Sequence, residues 1–573
     1  LIMEKISGGD ALIRSLICEG VDLVFGYPGG SIMPVYDRLY DYQDKLRHIL
    51  VRHEQGATHA AQGYARVSGR TGVVIVTSGP AATNVVTGLS DALMDSTPMV
   101  VITGQVATPF LGFDAFQETD VVGITQPITK WSYQIRRAED VAWAVARAFY
   151  IASTGRPGPV VLDITKDAQV GLTDFQFKKC DYIRSYTPYP AIDMDDVEQV
   201  AEMINSAERP MILSGHGVMI SGAEAELAAL AEKAEIPVAA TLLGLSTIPS
   251  AHPLYKGMLG MHGNIGPNVN TNRADLIIAV GMRFDDRITG NVKAYAPQAR
   301  IVHIDIDASE FDKNIATHAT IHGDAKAALQ ALLPLVKENT HRQWLAEFDE
   351  PARVEYEKVV MREVHPAEGR MTMGEVVNNV SKATGHKAIV VTDVGQNQMF
   401  SARYSRFTEP RSIVTSGGLG TMGFGLPAAI GAKMGAPERT VVFYTGDGGL
   451  QMTIQELGTI MEYGTDVKIV LLNNNFLGNV RQWQSLFFND RFSQTPLLNP
   501  DFVMIAKAYG IAAESVATRE ELPGAIERML AHDGAYLLDV NIDETDMIFP
   551  MTPAGAHVDH VMINATETYP TDK

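Results

Sequence analysis

Nearly the whole sequence alternates short apolar strands with helical stretches, and few folds accept that rhythm. A strand covered on both faces reads as a continuous apolar run, and joining it in parallel to the next strand requires a crossover, usually a helix. The pattern predicts an α/β protein built from doubly wound parallel sheets. In the first third, GVDLVFGYPGG, RTGVVIVTSGP, TPMVVITGQV and GRPGPVVLDITKD each read as a strand running into a turn. The prolines of SYTPYPAID interrupt the rhythm and mark a linker. A second block runs from RPMILSGHGVMISGAEAELAALAEKAEIPVAA through ADLIIAVGMRFDDR to ARIVHIDID. A charged helical stretch from about Lys337 to Arg370 separates it from a third block, which opens on KAIVVTDVGQNQMF and ends near AYLLDVNID. Expected boundaries are 1–172, 190–340 and 371–548, with an irregular tail over 549–573 that is either a lid or frayed. The first and third blocks share size and rhythm, which hints at duplication.

Charge narrows the partners. With 67 acidic against 47 basic residues the formal net charge is −20, which disfavours nucleic acid and anionic membrane. No apolar run reaches the roughly 18 residues of a membrane span. LIMEKISGGDALIRSLICEG lacks a basic segment followed by an apolar one, which argues against a secretory signal. Cys18 and Cys180 stand far apart without metal spacing, so a reducing cytoplasm is expected.

VVFYTGDGGLQMTIQELGTIMEYGTDVKIVLLNNNFLG reads as strand, helix and parallel strand. Ligands of open α/β sheets bind beyond the C-terminal strand ends, where Asp447 and Asn474 would stand side by side. Mg²⁺ takes near-octahedral oxygen ligands and usually shares them with phosphates, so one carboxylate and one amide oxygen suit it. Gly446, Gly448 and Gly449 would let the backbone approach a diphosphate. Gly-Asp-Gly alone is more often a tight strand-to-helix turn, and the asparagines at the next strand end make the pair specific. The pair resembles the magnesium–thiamine diphosphate motif. That cofactor needs an acid at its aminopyrimidine, and Glu54 in ILVRHEQGATHAAQGYARVSG follows a strand and opens a helix. Capping is the plain alternative for an acid at a helix start. His53 and His59 do not make H-E-x-x-H, so zinc is not expected.

FGYPGGSIMPVYD, HEQGATHAAQGYARVSG, DAFQETDVVG, RPGPVVLDITKD, LGMHG, GMRFDDRITGN, TSGGLGTMGFGLPAAIGA and RQWQSLF together, in order along the chain, resemble the acetohydroxyacid (acetolactate) synthase large catalytic subunits. The resemblance implies a pyrimidine-binding unit, a central FAD-binding unit and a diphosphate-binding unit, with a site shared across a dimer or tetramer. It implies Glu54, Gly29, Gln117 and Lys166 as catalytic residues and Phe116 at the substrate channel. Val394, Gly395, Gln396, Asn397, Gly420 and Met422 would attend the thiamine cofactor, Met422 by bending it. Asp447, Asn474 and the Phe476 carbonyl would hold Mg²⁺. FAD would lie along Gly215, Gly217, Thr241, Leu242 and His262, and along Gly281, Arg283, Asp285, Arg287, Asp305 and Asp324. Arg287 would also meet the acceptor carboxylate, and Trp483 would favour 2-ketobutyrate over pyruvate. For Met422 and Phe116 the plain alternative is core packing, for Lys166 and Arg287 a solvated charge, for Trp483 a structural aromatic.

The implied reaction decarboxylates pyruvate and joins the remainder to a second 2-keto acid, pyruvate or 2-ketobutyrate, for branched-chain amino acids. FAD takes no redox part in it, and a separate regulatory small subunit is an expected partner. Asn397, Asn479, Ala81 and Phe113 depart from the family pattern, where histidine, methionine, glycine and threonine are common. Rival readings are a pyruvate-oxidase type, a flavin-free catabolic synthase and a non-catalytic paralogue. A serine hydrolase finds no G-x-S-x-G.

Overall fold

Apolar runs in the chain become strands whose alternate residues enter different cores. In the computed structural model, which describes residues 5–571, Val73 and Ile75 face one cluster and Val74 and Val76 another. The same split separates Ile277 and Ala279 from Ile278 and Val280, and Val441 and Phe443 from Val442 and Tyr444. Helices therefore cover both faces of each sheet, and every fully buried large side chain contributes about 1.5–3 kcal/mol.

A short antiparallel pair, β1 (Lys5–Ser7) with β8 (Leu172–Asp174), ties the start of the first unit to its end. Between them lie β2 (Leu23–Tyr27), β3 (Arg47–Leu50), β4 (Gly72–Val76), β5 (Met99–Gln105), β6 (Trp131–Ile135) and β7 (Pro159–Thr165). They form a parallel sheet in the order β3-β2-β4-β5-β7-β6. The central unit holds β9 (Pro210–Ser214), β10 (Val238–Ala240), β11 (Tyr255–Met258), β12 (Leu276–Val280), β13 (Arg300–Asp305) and β14 (Ala319–His322). Their order is β11-β10-β9-β12-β13-β14, the doubly wound dinucleotide-binding arrangement. The third sheet contains β15 (Ile389–Thr392), β16 (Ile413–Val414), β17 (Val441–Gly446), β18 (Lys468–Asn473), β19 (Ala512–Val516) and β20 (Tyr536–Asn541). Its order β16-β15-β17-β18-β20-β19 repeats that of the first sheet strand for strand, which agrees with the likeness of their sequence rhythms.

The first and third units meet through the helices Glu54–Ser68 and Gly425–Gly435. Their backbones approach so closely that a Cβ on Gly63 would lie 2.0 Å from Ala428 O, and one on Gly431 1.8 Å from Ala60 O. Gly431→Ala is expected to cost about 1–3 kcal/mol through overpacking, read as a lower denaturant midpoint.

Two expectations change in the structure. The helix expected between β17 and β18 is not continuous: Asp447–Met452 ends at Thr453, a 3₁₀ turn spans Ile454–Glu456, and Leu457–Tyr463 follows. Thr453 leaves the helical region (φ −135°) as its hydroxyl donates to Gly423 O. The tail is irregular yet not frayed over the described residues. Phe549, Met551, Val561, Ile563 and Tyr569 pack with Ile265, Val269 and Val359 in one buried cluster. Among the described residues no helix is long and apolar enough to cross a membrane.

Candidate functional site

Candidate residues gather in three places, each beyond C-terminal strand ends. At the third sheet, Gly446 pairs with Leu472, so Asp447 and Asn474 follow at neighbouring strand ends. Asp447 is fully buried, and burial pushes its carboxyl up to about 6. No cationic side chain among the described residues neutralises it: its Oδ2 accepts from the Asn499 amide at 2.6 Å and its Oδ1 from Gly448 N at 3.2 Å. The Asn474 amide donates to Gln396 Oε1 (3.4 Å), and its Oδ1 accepts from Phe476 N (3.2 Å) with a second lone pair to spare. Gln396 continues to Gln482 Oε1 (3.1 Å) and Asp546 O (2.9 Å), which links this edge to the segment after β20.

Glycines set the floor of that edge. Gly395 adopts φ +134° and Gly420 φ +70°, conformations that favour glycine. A Cβ on Gly446 would sit 3.4 Å from the buried Asn397 amide nitrogen, and one on Gly448 would sit 3.7 Å from Met422 Cε. Asn397 Oδ1 has no partner among the described residues, and Val394 lies beside Gly420. Asp393, which sequence reading missed, organises this loop. Its buried carboxylate accepts from the backbones of Val394, Gly423 and Gly425, and Gly449 packs against it. An acid at a strand end in TDVGQ was the available signal.

The second place lies on the first sheet. Glu54 opens its helix after β3, capped by His53, and accepts from the Asn84 amide at 2.9 Å. Gly29 follows β2 so close to Thr77 that a Cβ would approach the Thr77 Cγ2 to 2.4 Å. Gln117 holds φ +59° against Gly79, a strained backbone of the sort that collects at functional sites. Phe116 is 87% exposed and Lys166 is exposed after β7. Glu456, from the third unit, also escaped the sequence reading. It is fully buried, pushed up to about 7, and accepts from Arg52 N just ahead of Glu54. Glu54 and Asp447 share no hydrogen bond within the described chain.

The third place is a cavity of about 750 Å³ between the central sheet and both other units. Gly217, Thr241, Leu242, His262, Gly281 and Arg283 line it, as do Asp285, Arg287, Asp305 and Asp324. Its far end reaches Val394, Gly420, Asn479 and Trp483. Gly215 lies outside the lining, where it gives the Gly281 carbonyl room: a Cβ there would come within 2.2 Å. Gly217 and Gly281 meet backbone to backbone, so the wall has no side chains there. Thr241, Asp285 and Asp324 each also cap a helix or turn. Burial holds His262 neutral, its pKa lowered to about 3, and its Nδ1 is unpartnered among the described residues. Arg287 is largely exposed and pairs with Asp286 at 3.2 Å. Arg156, missed in the sequence, enters the cavity from the first unit and is held by Glu310 at 2.7 Å and Ser96 at 2.9 Å.

Of the departures, Ala81 is core and Asn479 turns a buried, unpartnered oxygen toward the cavity end. Phe113 is 78% exposed, and nothing in the structure explains it.

Paired α/β units that carry an acid at one sheet edge and a buried carboxylate–amide pair at another define a thiamine diphosphate enzyme. Family models agree: residues 6–124 match the thiamine pyrophosphate enzyme N-terminal TPP binding domain, 197–332 its central domain and 393–540 its C-terminal TPP binding domain. The Escherichia coli acetolactate synthase isozyme 2 large subunit is 44% identical over 96% of this chain and 98% of its own length. The large subunit from Lactococcus lactis is 43% identical over 98% and 97%, and that from Corynebacterium glutamicum 44% over 96% and 89%. The chain belongs to the acetolactate synthase large-subunit family.

Proposed function

We propose that this chain is an acetolactate synthase that decarboxylates pyruvate and joins the product to pyruvate or 2-ketobutyrate, for branched-chain amino-acid biosynthesis. The observation that carries the reading is the buried Asp447 carboxylate beside Asn474, with no cationic side chain against it among the described residues. A divalent ion with oxygen ligands fits it. No cluster of three or more His, Cys, Asp or Glu exists among the described residues that would suggest a different metal site.

Thiamine diphosphate, when bound, supplies an acidic carbon that adds to keto groups and an electron sink for decarboxylation. Asp447, Asn474 and the Phe476 carbonyl would hold Mg²⁺. Gly446, Gly448 and Gly449, with Val394, Gly395, Gln396, Asn397 and Gly420, would receive the diphosphate half, and Met422 would support its middle. Glu54 would hold a proton against the pyrimidine, positioned by Asn84 and, through the backbone of Arg52, by Glu456. Gly29, Gln117 and Phe116 would line the reacting end, with Lys166 at its mouth. As the family resemblance implies, the site is read as shared across a homodimer, with Glu54 from one chain and Asp447 from the other.

The cavity suits FAD, held without a redox part. Its volume falls in the range of small-molecule sites, about 300–1,000 Å³. The glycine-only contact of Gly217 with Gly281 leaves backbone exposed to a flat or phosphorylated ligand. Arg287 would clamp the acceptor carboxylate. The relatives' names as large subunits support a small-subunit partner, and the cytoplasm is the compartment we assign. We take 1–172, 190–340 and 371–548 as the pyrimidine, FAD and diphosphate units.

Incubation with pyruvate and 2-ketobutyrate, followed by product analysis, tests the reading. Acetolactate and acetohydroxybutyrate should form while the flavin stays oxidised. Flavin bleaching at the rate of turnover would mean an oxidase instead. Trp483 stacks edge-on with Phe487 at 5.6 Å and lines the cavity end. A wall that senses one methylene discriminates by about 1–3 kcal/mol, so Trp483→Leu should cut the preference for 2-ketobutyrate by about tenfold or more. Competition between the two acceptors measures it.

A further inference from the structure

The run of asparagines at the end of β18 leaves a question, since only Asn474 is needed beside Asp447. The answer lies downstream in the chain. Residues 495–497 run antiparallel to 475–477: Leu477 N donates to Thr495 O at 2.9 Å and Leu497 N to Asn475 O at 2.8 Å. Phe476 and Pro496 form a bridge between them. This pairing delivers the half-buried Asn499 to the candidate metal edge.

Its amide nitrogen stands 2.6 Å from Asp447 Oδ2, 3.2 Å from Asn473 Oδ1 and 3.1 Å from Asn475 Oδ1. Three acceptors share the two N–H bonds of this NH₂ group, which turns the nitrogen end of the side chain inward. Gln451 fixes the other end, donating to Asn499 Oδ1 at 3.0 Å and to Asp447 O at 3.0 Å. Asn475 adopts φ +57°, a left-handed conformation that asparagine tolerates better than most side chains. Helix capping does not account for Asn499, because Asp501 caps the following helix.

We propose that Asn499 is a positioning residue for the metal site: its amide holds one oxygen of Asp447 and both neighbours of Asn474, so that Asp447 and Asn474 present their remaining oxygens together. Outer partners of this kind orient the ligands that touch a metal, and their loss typically weakens binding about 10–100-fold. The inference rests on the reading of Asp447 and Asn474 as metal ligands given above.

The test uses the full-length protein stripped of cofactors, with Mg²⁺ titrated at saturating thiamine diphosphate and binding followed by protein fluorescence. Asn499→Ala should raise the half-saturating Mg²⁺ concentration about tenfold or more. Asn499→Asp, which keeps the volume but sets a carboxylate against Asp447, should raise it further and holds the comparison if the alanine variant misfolds. Thermal midpoints in EDTA separate positioning from a merely structural role. A lowered midpoint with unchanged Mg²⁺ dependence overturns the proposal, as does no change in either. Asp447→Ala serves as the control. If it too leaves the Mg²⁺ dependence unchanged, the metal-site reading itself falls; if it alone abolishes the response, only the role of Asn499 does.

Discussion

Glu54→Gln lowers carboligation by about 100-fold or more while the protein stays folded, as expected for loss of a group that moves or holds a proton in the reaction. The substitution changes no volume and keeps an oxygen that can accept from Asn84, which now donates at 2.9 Å. The helix start is unharmed as well, because His53 caps it and Glu456 secures the Arg52 backbone. Only the ability to hold a proton on an oxygen is lost. Steady-state rates with pyruvate, beside a thermal midpoint, measure both halves of the expectation. Turnover within a few-fold of the parent would remove Glu54 from the chemistry and leave it a helix-start acid.

Asp447→Ala acts on binding rather than on proton transfer. Changing an outer partner of a metal costs about 10–100-fold in affinity, so removing a direct carboxylate ligand should cost at least about 100-fold. The apoprotein should be no less stable, because the carboxylate is buried, raised to about 6 by desolvation, and has no cationic side chain beside it among the described residues. Its nearest donor, Asn499, retains Asn473 and Asn475 as acceptors. The signature is therefore asymmetric: Mg²⁺ with thiamine diphosphate raises the parent's thermal midpoint by mass action and leaves that of the variant where it was. A variant stabilised as much as the parent would show that the ion binds elsewhere.

Both residues are legible in the sequence because each sits where a strand meets a helix. A βαβ unit sets the ends of its parallel strands side by side, so TGDGG and LLNNN by their spacing alone imply a shared edge. The glycines of the FAD reading are likewise legible, although Gly215 works by making room for a carbonyl rather than by facing the cavity. Arg156, Glu456 and Asn499 are not. Asp393 has a local signal, while those three act through contacts that no periodicity encodes.

Local pattern alone determined the alternation of strands and helices, the parallel sheets, and the ends at which Glu54, Asp447 and Asn474 stand. Tertiary structure decided what surrounds them. Glu456 meets the backbone of Arg52 across 404 positions, and Asn499 reaches Asp447 across 52. It also decided that the tail packs, and that the helical stretch after β17 breaks at Thr453, with Glu456 in the turn that follows. The physical reason is one of range. Side-chain alternation and turn chemistry act over a few residues, whereas a buried carboxylate takes its hydrogen-bond donors from whatever part of the chain the fold brings beside it.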